Sequence, residues 1–411
     1  MSEVAQAPQL RFPEFIGEWD VTNFGNISSI KRGASPRPIS SPKWFDKDSS
    51  VGWVRISDVT KSKKYLKKTE QYLSEDGINR SRKVDKGNLI MSICATIGKP
   101  IYTNFNVCIH DGFIVFDSLS EDKGFIYYLL EKIQKKWYRY GQPGTQVNLN
   151  SDIVSSEIFS IPTKPEQQKI AAFLTAVDSK IEQLSKKQEL LGEYKKGLMQ
   201  QIFSQAIRFK ADDGCDFPDW GEKKLSDLSL SHYQGINTTA DKVEYHKEGF
   251  PIAQAKHITS EFMDFNNIKY VNEATYESYK KKFKPNQNDI LISNIGTLGK
   301  IVLVENDIDF LVAWNIFKVE LDINKVIPKF LLFSLKLVAS RGYFDRMKTG
   351  NATKFVNKAD MLNIQINFPS KLEQKKIANF LSSIDSKIEQ VGKQLDESKQ
   401  FKKALLQQMF V

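Results

Sequence analysis

The stretch "EQQKIAAFLTAVDSKIEQLSKKQELLGEYKKGLMQQIF" (residues 166–203) returns without a gap as "EQKKIANFLSSIDSKIEQVGKQLDESKQFKKALLQQMF" (residues 373–410). About half the positions are identical, and others exchange like for like, Val177 for Ile384 and Tyr194 for Phe401. The same offset relates Arg139 to Arg346, Asn150 to Asn357 and Pro162 to Pro369. Upstream, Phe12-Pro13-Glu14-Phe15 pairs with Phe217-Pro218-Asp219-Trp220, and "NLIMSICATIGK" (Asn88–Lys99) with "DILISNIGTLGK" (Asp289–Lys300). The chain is therefore two copies of one unit. Insertions and deletions fall in the front part of each, while the tail keeps its length.

That tail has the pattern of a long helix. In the first copy Ile170, Leu174, Val177, Ile181, Leu184, Leu191, Leu198 and Ile202 follow alternating four- and three-residue steps, passing through Gln188 and Lys195. In the second, Ile377, Leu381, Ile384, Ile388, Val391, Leu395, Leu405 and Met409 do the same through Ser398 and Lys402. This is a heptad seam with polar interruptions, and such interruptions fix register. Pro165-Glu166-Gln167 and Ser370 with Glu373-Gln374 are helix start signals. Matched length and matched seam predict that the two helices pair with each other. The chain order then makes the pair antiparallel, which predicts a pseudo-two-fold dumbbell.

At 411 residues the chain exceeds one hydrophobic core. Its composition, 41% hydrophobic and 26% charged, is that of a water-soluble globular protein. No apolar run approaches the roughly 20 residues needed to cross a bilayer, and the N-terminus MSEVAQAPQLRF has no secretory signal pattern. Three cysteines (Cys94, Cys108, Cys215) form no disulfide framework and suit a reducing cytoplasm. The net charge of +10 points toward polyanions.

Residues 12–164 and 215–370 mix short apolar strand-like runs (Leu89–Ile93, Phe113–Phe116, Ile290–Ile292, Ile316–Val319) with helical stretches (Gly124–Tyr138, Pro328–Phe344). Basic and aromatic residues interleave in "KSKKYLKK" (Lys61–Lys68), "KKWYRYGQPGTQ" (Lys135–Gln146) and "SRGYFDRMKTGNATK" (Ser340–Lys354). Lys and Arg neutralise phosphates, while Gln, Asn and Arg read base edges. The candidate DNA contacts are Lys63, Lys64, Lys67, Lys68, Arg139 and Gln146 in the first half, and Lys281, Lys282, Arg346, Lys348 and Lys354 in the second.

Catalytic patterns fail. "ILISNIGTLGK" lacks the glycine and the Ser/Thr of a phosphate loop, and both "GK" sites read as tight turns. Pro218-Asp219 with Glu222-Lys223-Lys224 is too tightly spaced for a nuclease metal site, and Cys94, Cys108 and His110 lack a second close ligand pair.

Two divergent regions alternate with near-identical heptad helices bearing EQ-KIA-FL---DSKIEQ and KK-L-QQ-F, and the halves open on FPEF or FPDW. Essentially over its whole length the chain thus resembles the specificity subunit of type I restriction–modification enzymes. In the loop before the second helix, Gly350–Asn357 is one residue longer than its counterpart Gly144–Asn150. The resemblance implies an α+β chain with target-recognition domains at 1–164 and 207–370, separated by antiparallel coiled-coil helices at 165–206 and 371–411. Each domain would read one half of a split, asymmetric site in double-stranded DNA. The helices would act as ruler and as docking surface for two methyltransferase subunits, with restriction subunits joining the core and no membrane involved. No cofactor belongs to this chain on that reading: S-adenosylmethionine goes to the methyltransferase, ATP and Mg to the restriction partner. The place of action would be the bacterial cytoplasm, at the nucleoid. Two other classes remain open, a scaffold that binds only proteins and a single-chain enzyme with an unrecognised site.

Overall fold

The computed structural model describes residues 7–140, 149–259, 262–350 and 353–411. The chain divides into two compact units, residues 1–186 with 392–411 and residues 187–391.

In the first unit a five-stranded sheet runs in the order Ser29–Arg32, Phe113–Asp117, Leu89–Ser92, Pro100–Thr103, Tyr65–Leu66. A four-stranded sheet runs Gln71–Tyr72, Gly52–Val54, Val107–Ile109, Arg82–Val84, and Asp20–Asn23 pairs with Ile158–Ile161. The strand Leu89–Ser92 is buried on both faces, and its side chains alternate between two cores. Leu89 and Met91 join Phe125, Leu129 and the long-helix residues Ile170 and Leu174, whereas Ile90 joins Val54, Val107 and Ile109. Two-sided burial is why the run opens on three consecutive apolar residues.

The second unit repeats the plan. Ser229–Gln234, Ile316–Leu321, Ile290–Ile295 and Thr297–Leu303 form a four-stranded sheet, and Lys269–Val271, Phe250–Ala253 and Leu311–Val312 a three-stranded one. Gly221–Lys224 pairs with Gln365–Phe368. Ile290 and Ile292 face a core with Phe330 and Leu381, while Leu291 faces Ala253 and Val312. The expected helical stretches are each broken near their ends, into Lys123–Ile133 followed by a 3-10 turn and into Pro328–Ser340 followed by Tyr343–Met347.

The long helices span Lys164–Phe203 and Lys371–Gln408. Each unit holds the N-terminal part of one and the C-terminal part of the other. In the first unit they run in opposite directions: Asp178 meets Lys402 at 2.8 Å, while Leu10 and Arg11 tie Gln408 and Glu166 together at the other end. In the second, Lys195 meets Asp385, and Ile202 and Phe203 share a core with Ile377 and Ala378. All sixteen seam residues predicted from the heptads are buried or half-buried. The fold class read from the sequence is the one observed.

The repeated hexamer DSKIEQ now has a physical reason. Its aspartates, Asp178 and Asp385, are paired with Lys402 and Lys195, the lysines that interrupt the opposite seams. Lys402 also meets Glu131 at 2.8 Å. Each ammonium lies near an aromatic ring of its own unit, Tyr128 for Lys402 and Phe333 for Lys195. A polar seam residue that finds its partner only in one alignment sets register.

The helix starts are anchored in duplicate as well. Glu166, 1% exposed, takes a two-pronged ion pair from Arg11 (both bonds 2.8 Å), and Glu373, 0% exposed, takes one from Arg208 (3.3 and 3.0 Å). The planar guanidinium matches a carboxylate in this way. Gln167 accepts from the backbone N–H of Asp122 and donates to the Pro162 carbonyl; Gln374 does the same with Ile327 and Pro369. Phe12 meets Phe173 edge-on, as Phe209 meets Phe380. The expected pairing of Phe12 with Phe217 is met in part, since the repeat-related Lys169 and Lys376 lie over the Phe12 and Phe217 rings. In the ion pair and the edge-on ring contact, Arg11-Phe12 correspond to Arg208-Phe209, and the second unit carries its extra residues just after them.

Candidate nucleic-acid interface

The basic residues singled out from the sequence fall into different environments. Lys63, Lys67, Lys68, Lys281 and Lys282 are exposed. Lys64 is not: its ammonium donates to Tyr128 Oη (2.9 Å) and Thr175 Oγ1 (3.0 Å) and lies 4.5 Å from the Tyr128 ring centre. Burial lowers its pKa. The structure thus corrects the expectation of a DNA-facing Lys64, which instead ties the strand Tyr65–Leu66 to the first long helix. The sequence run hides this because its lysines are interchangeable by type, and only the sheet decides which one points inward.

Arg139 is exposed but bonds the buried Glu157 at 2.6 Å. Its repeat partner Arg346 instead donates to the Arg341 carbonyl at 2.6 Å, so the matched offset does not make a matched contact. Lys348 pairs with Asp345, and Lys354 donates to the Gly350 carbonyl. Gln146 lies outside the described residues.

The first "GK" site is a tight turn, but Gly299-Lys300 lies within the strand Thr297–Leu303, at the bulge in its pairing with Ile290–Ile295, which corrects the expected turn there. Gly98 and Gly299 have φ of +72° and +75°, and a Cβ on either would press into an aromatic ring, Trp137 or Phe344. Lys99 donates to the carbonyls of Val59, Thr60 and Ser62, a structural use. Cys94 and His110 approach each other around Gly112, but Cys108 is buried with Trp53 and Leu73 in a different core. Burial pushes the Cys108 thiol up to about 12. Among the described residues no group of three or more His, Cys, Asp or Glu is placed to hold a metal ion.

A feature the repeat alignment missed brings the two sheets of each unit together. After the strand Ser29–Arg32 the chain crosses the strand Val107–Ile109. Gly33 N–H donates to the Phe113 carbonyl and Ala34 N–H to the Ile109 carbonyl, and a Cβ on Gly33 would collide with the His110 carbonyl. After Ser229–Gln234, Gly235 and Ile236 make the same two bonds to Ile316 and Val312, and a Cβ on Gly235 would collide with the Ala313 carbonyl. The residue before each glycine reaches over the crossing. Arg32 Nε donates to the Asp111 carbonyl at 2.7 Å, and Gln234 Nε2 donates to the Trp314 carbonyl.

The backbone is therefore shared, while the side chains are not. Asp111 is 47% exposed, accepts from Ser35 Oγ at 2.8 Å and faces Arg37 at 3.4 Å. The Ser35 hydrogen bond, helped by Arg37, holds its carboxyl below the usual range, so it is ionised at neutral pH. Trp314, 41% exposed, occupies the equivalent place in the second unit. Beneath it Gln234 and Asn294 exchange two amide hydrogen bonds of 3.0 and 2.9 Å. The available sequence signal was small, a glycine preceded by a long polar side chain in "KRGAS" (Lys31–Ser35) and "YQGIN" (Tyr233–Asn237).

A family model described as the type I restriction modification DNA specificity domain matches residues 16–191 and again residues 218–397. The type I restriction enzyme MjaVIII specificity subunit of Methanocaldococcus jannaschii is 22% identical over 97% of this chain and 92% of its own length. The EcoBI specificity subunit of Escherichia coli is 21% identical over 65% of this chain, and the match spans 62% of that protein, under two thirds of its length. Among solved structures, the S subunit of a type I restriction-modification system from M. genitalium superposes with a TM-score of 0.61 at 17% identity, covering 99% of both chains. At that identity the likeness is one of fold.

Proposed function

Because this chain belongs to the family of type I restriction modification DNA specificity domains, we propose that it is the subunit that gives such a complex its DNA sequence. Residues 1–164 and 207–370 act as target-recognition domains, each reading one half of a split site in double-stranded DNA. Residues 165–206 and 371–411 form the helices between them, which set the spacer and dock two methyltransferase subunits. The observation that carries this is the paired crossing: one backbone frame built twice, presenting Arg37 and Asp111 in one unit and Trp314 in the other. A protein that reads two different half-sites needs such a frame with changed side chains.

The chain itself is non-catalytic on this reading. S-adenosylmethionine belongs to the methyltransferase partners, and ATP and Mg to the restriction subunits. The exposed Lys63, Lys67, Lys68, Lys281 and Lys282, with Arg139, Arg346, Lys348 and Lys354, would supply phosphate contacts that weaken with salt, and Gln146 would contact the DNA as a neutral side chain. Among the described residues no helix is long and apolar enough to cross a membrane; the complex would act on DNA in the bacterial cytoplasm, at the nucleoid.

The test is to map methylated sites in a genome expressing this chain with its methyltransferase subunits. Residues 12–160 are then exchanged for the same region of a relative. One half of the mapped site should change while the other half and its distance stay. A map without sequence preference, or a swap that rewrites both halves, would refute the reading.

A further inference from the structure

The crossing at Gly33 and Gly235 allows a finer assignment, which rests on the DNA-reading function proposed above. We propose that Asp111 and Trp314 mark the same base-reading position in the two units, and that their difference makes the half-sites differ. In the first unit Asp111 orients the Arg37 guanidinium onto a guanine. In the second, Trp314 contacts a thymine methyl group.

Equivalence comes first. The two positions share the glycine passage, the paired backbone bonds and the side-chain bond from residue 32 or 234 to their carbonyl. Each follows a residue whose carbonyl leaves no room for a Cβ on the crossing strand, so its place is fixed by backbone packing. A reading group needs such rigid support and an exposed tip.

Chemistry then separates them. A carboxylate alone is a poor neighbour for phosphates, but Asp111 is engaged by Ser35 on one oxygen and by Arg37 on the other. The Arg37 side chain is 72% exposed and bonds only Asp111 among the described residues, so its remaining donors can form the two-pronged contact with O6 and N7 of guanine, the commonest specific pairing in the major groove. Asp111 is thus a positioning residue and Arg37 the reader. Trp314 offers an apolar plane whose backbone is tied to Gln234 and Ile236, and it has no charge with which to seek phosphate. Apolar contact with a thymine methyl is the major-groove use of such a surface.

The experiment repeats the methylation map with the chain in complex with its methyltransferase subunits, for Arg37→Ala, Arg37→Lys, Asp111→Asn and Trp314→Ala. Arg37→Ala should relax one G·C position in one half-site by about tenfold to a hundredfold. Arg37→Lys keeps the charge but loses the fork and should relax the same position. Asp111→Asn should relax it less, a change in preference that a purely structural role would not produce. Trp314→Ala should relax one A·T position in the other half-site, with Trp314→Phe retaining it; the Phe variant and Arg37→Ala keep the test alive if Trp314→Ala fails to fold. Unchanged maps would overturn the assignment. So would an effect of either variant on both halves, or an Arg37→Ala complex that binds every site more weakly with a shallower salt slope, which marks a phosphate contact. Wild-type methylation without sequence preference would instead sink the functional reading on which the assignment rests.

Discussion

The starts of the long helices and the glycine crossings are both built twice in this chain, and they are treated in opposite ways. At the helix starts the side chains themselves are duplicated. Arg11 with Glu166 becomes Arg208 with Glu373, Gln167 becomes Gln374, and the Asp178–Lys402 pair returns as Asp385–Lys195. At the crossings the backbone bonds are duplicated, the side-chain bond to the carbonyl is made by a different residue in each unit, Arg32 or Gln234, and Asp111 in one unit becomes Trp314 in the other. The difference separates two kinds of constraint. A buried carboxylate accepts few partners, so its neighbours must be kept; an exposed tip on a rigid frame is free to change.

The sharpest way to break the comparison is to remove one arginine at a time. Arg11→Ala strands Glu166 in a buried site and should cost about 3–5 kcal/mol, because an unpaired buried charge is far costlier than a missing surface pair. Arg208→Ala should cost less, since Trp220 Nε1 still donates to Glu373 at 3.0 Å. Urea unfolding of both variants checks this. Equal losses would show that Trp220 does not share the load.

A second test uses a buried pair that only one unit has. Lys318 and Asp289, both 3% exposed, stand 3.5 Å apart in the second unit. The same strand positions in the first unit are Val115 and Asn88. Lys318→Val alone should destabilise by about 3–5 kcal/mol, whereas Lys318→Val with Asp289→Asn should recover most of that loss. Additive losses in a double-mutant cycle would mean that the two side chains do not stabilise each other.

The bridging glutamines should give a smaller and matched effect. Gln167→Ala or Gln374→Ala leaves a backbone N–H and a carbonyl without their partner and should cost about 1–3 kcal/mol in either unit. Thermal unfolding that responds to one substitution and not the other would show that the two helix starts are only superficially alike.

The smallest expected effect is in pH. Burial would lower the Lys402 pKa, but Glu131 and Asp178 outweigh it and hold the group above its ordinary value. A lysine raised on folding contributes its full stabilisation below the unfolded value, about 10.5, and loses it as pH rises through the raised value. The contact of Lys402 with the first unit should therefore weaken only in strongly alkaline solution. Lys402→Met should flatten that part of the stability–pH curve; an unchanged curve would show that the pair adds nothing to folding.

The heptad seam was legible because helical periodicity repeats locally: Ile170, Leu174 and Val177 announce their shared face within two turns. The strand at Leu89–Ser92 was legible for a similar reason, as a short run that opens on three consecutive apolar residues. Lys64 was misplaced because nothing in "KSKKYLKK" distinguishes one lysine from the next. Its inward turn depends on Tyr128 and Thr175, which arrive from distant parts of the chain. The correspondence of Arg11 with Arg208 was hidden because the contacts of Phe12 are divided in the second unit between Phe209, which meets Phe380, and Phe217, which meets Lys376.

By itself the sequence determined the duplication, the paired helices and the resemblance that led to the family. These are written in spacing and identity along the chain, which local physics converts directly into helices and seams. Only the tertiary structure decided which charged groups face inward, which aspartate meets which lysine, and where Gly33 and Gly235 cross their neighbouring strands. Those outcomes depend on contacts between residues far apart in the chain. A side chain's role there is set by what packing brings beside it, and no local pattern encodes that.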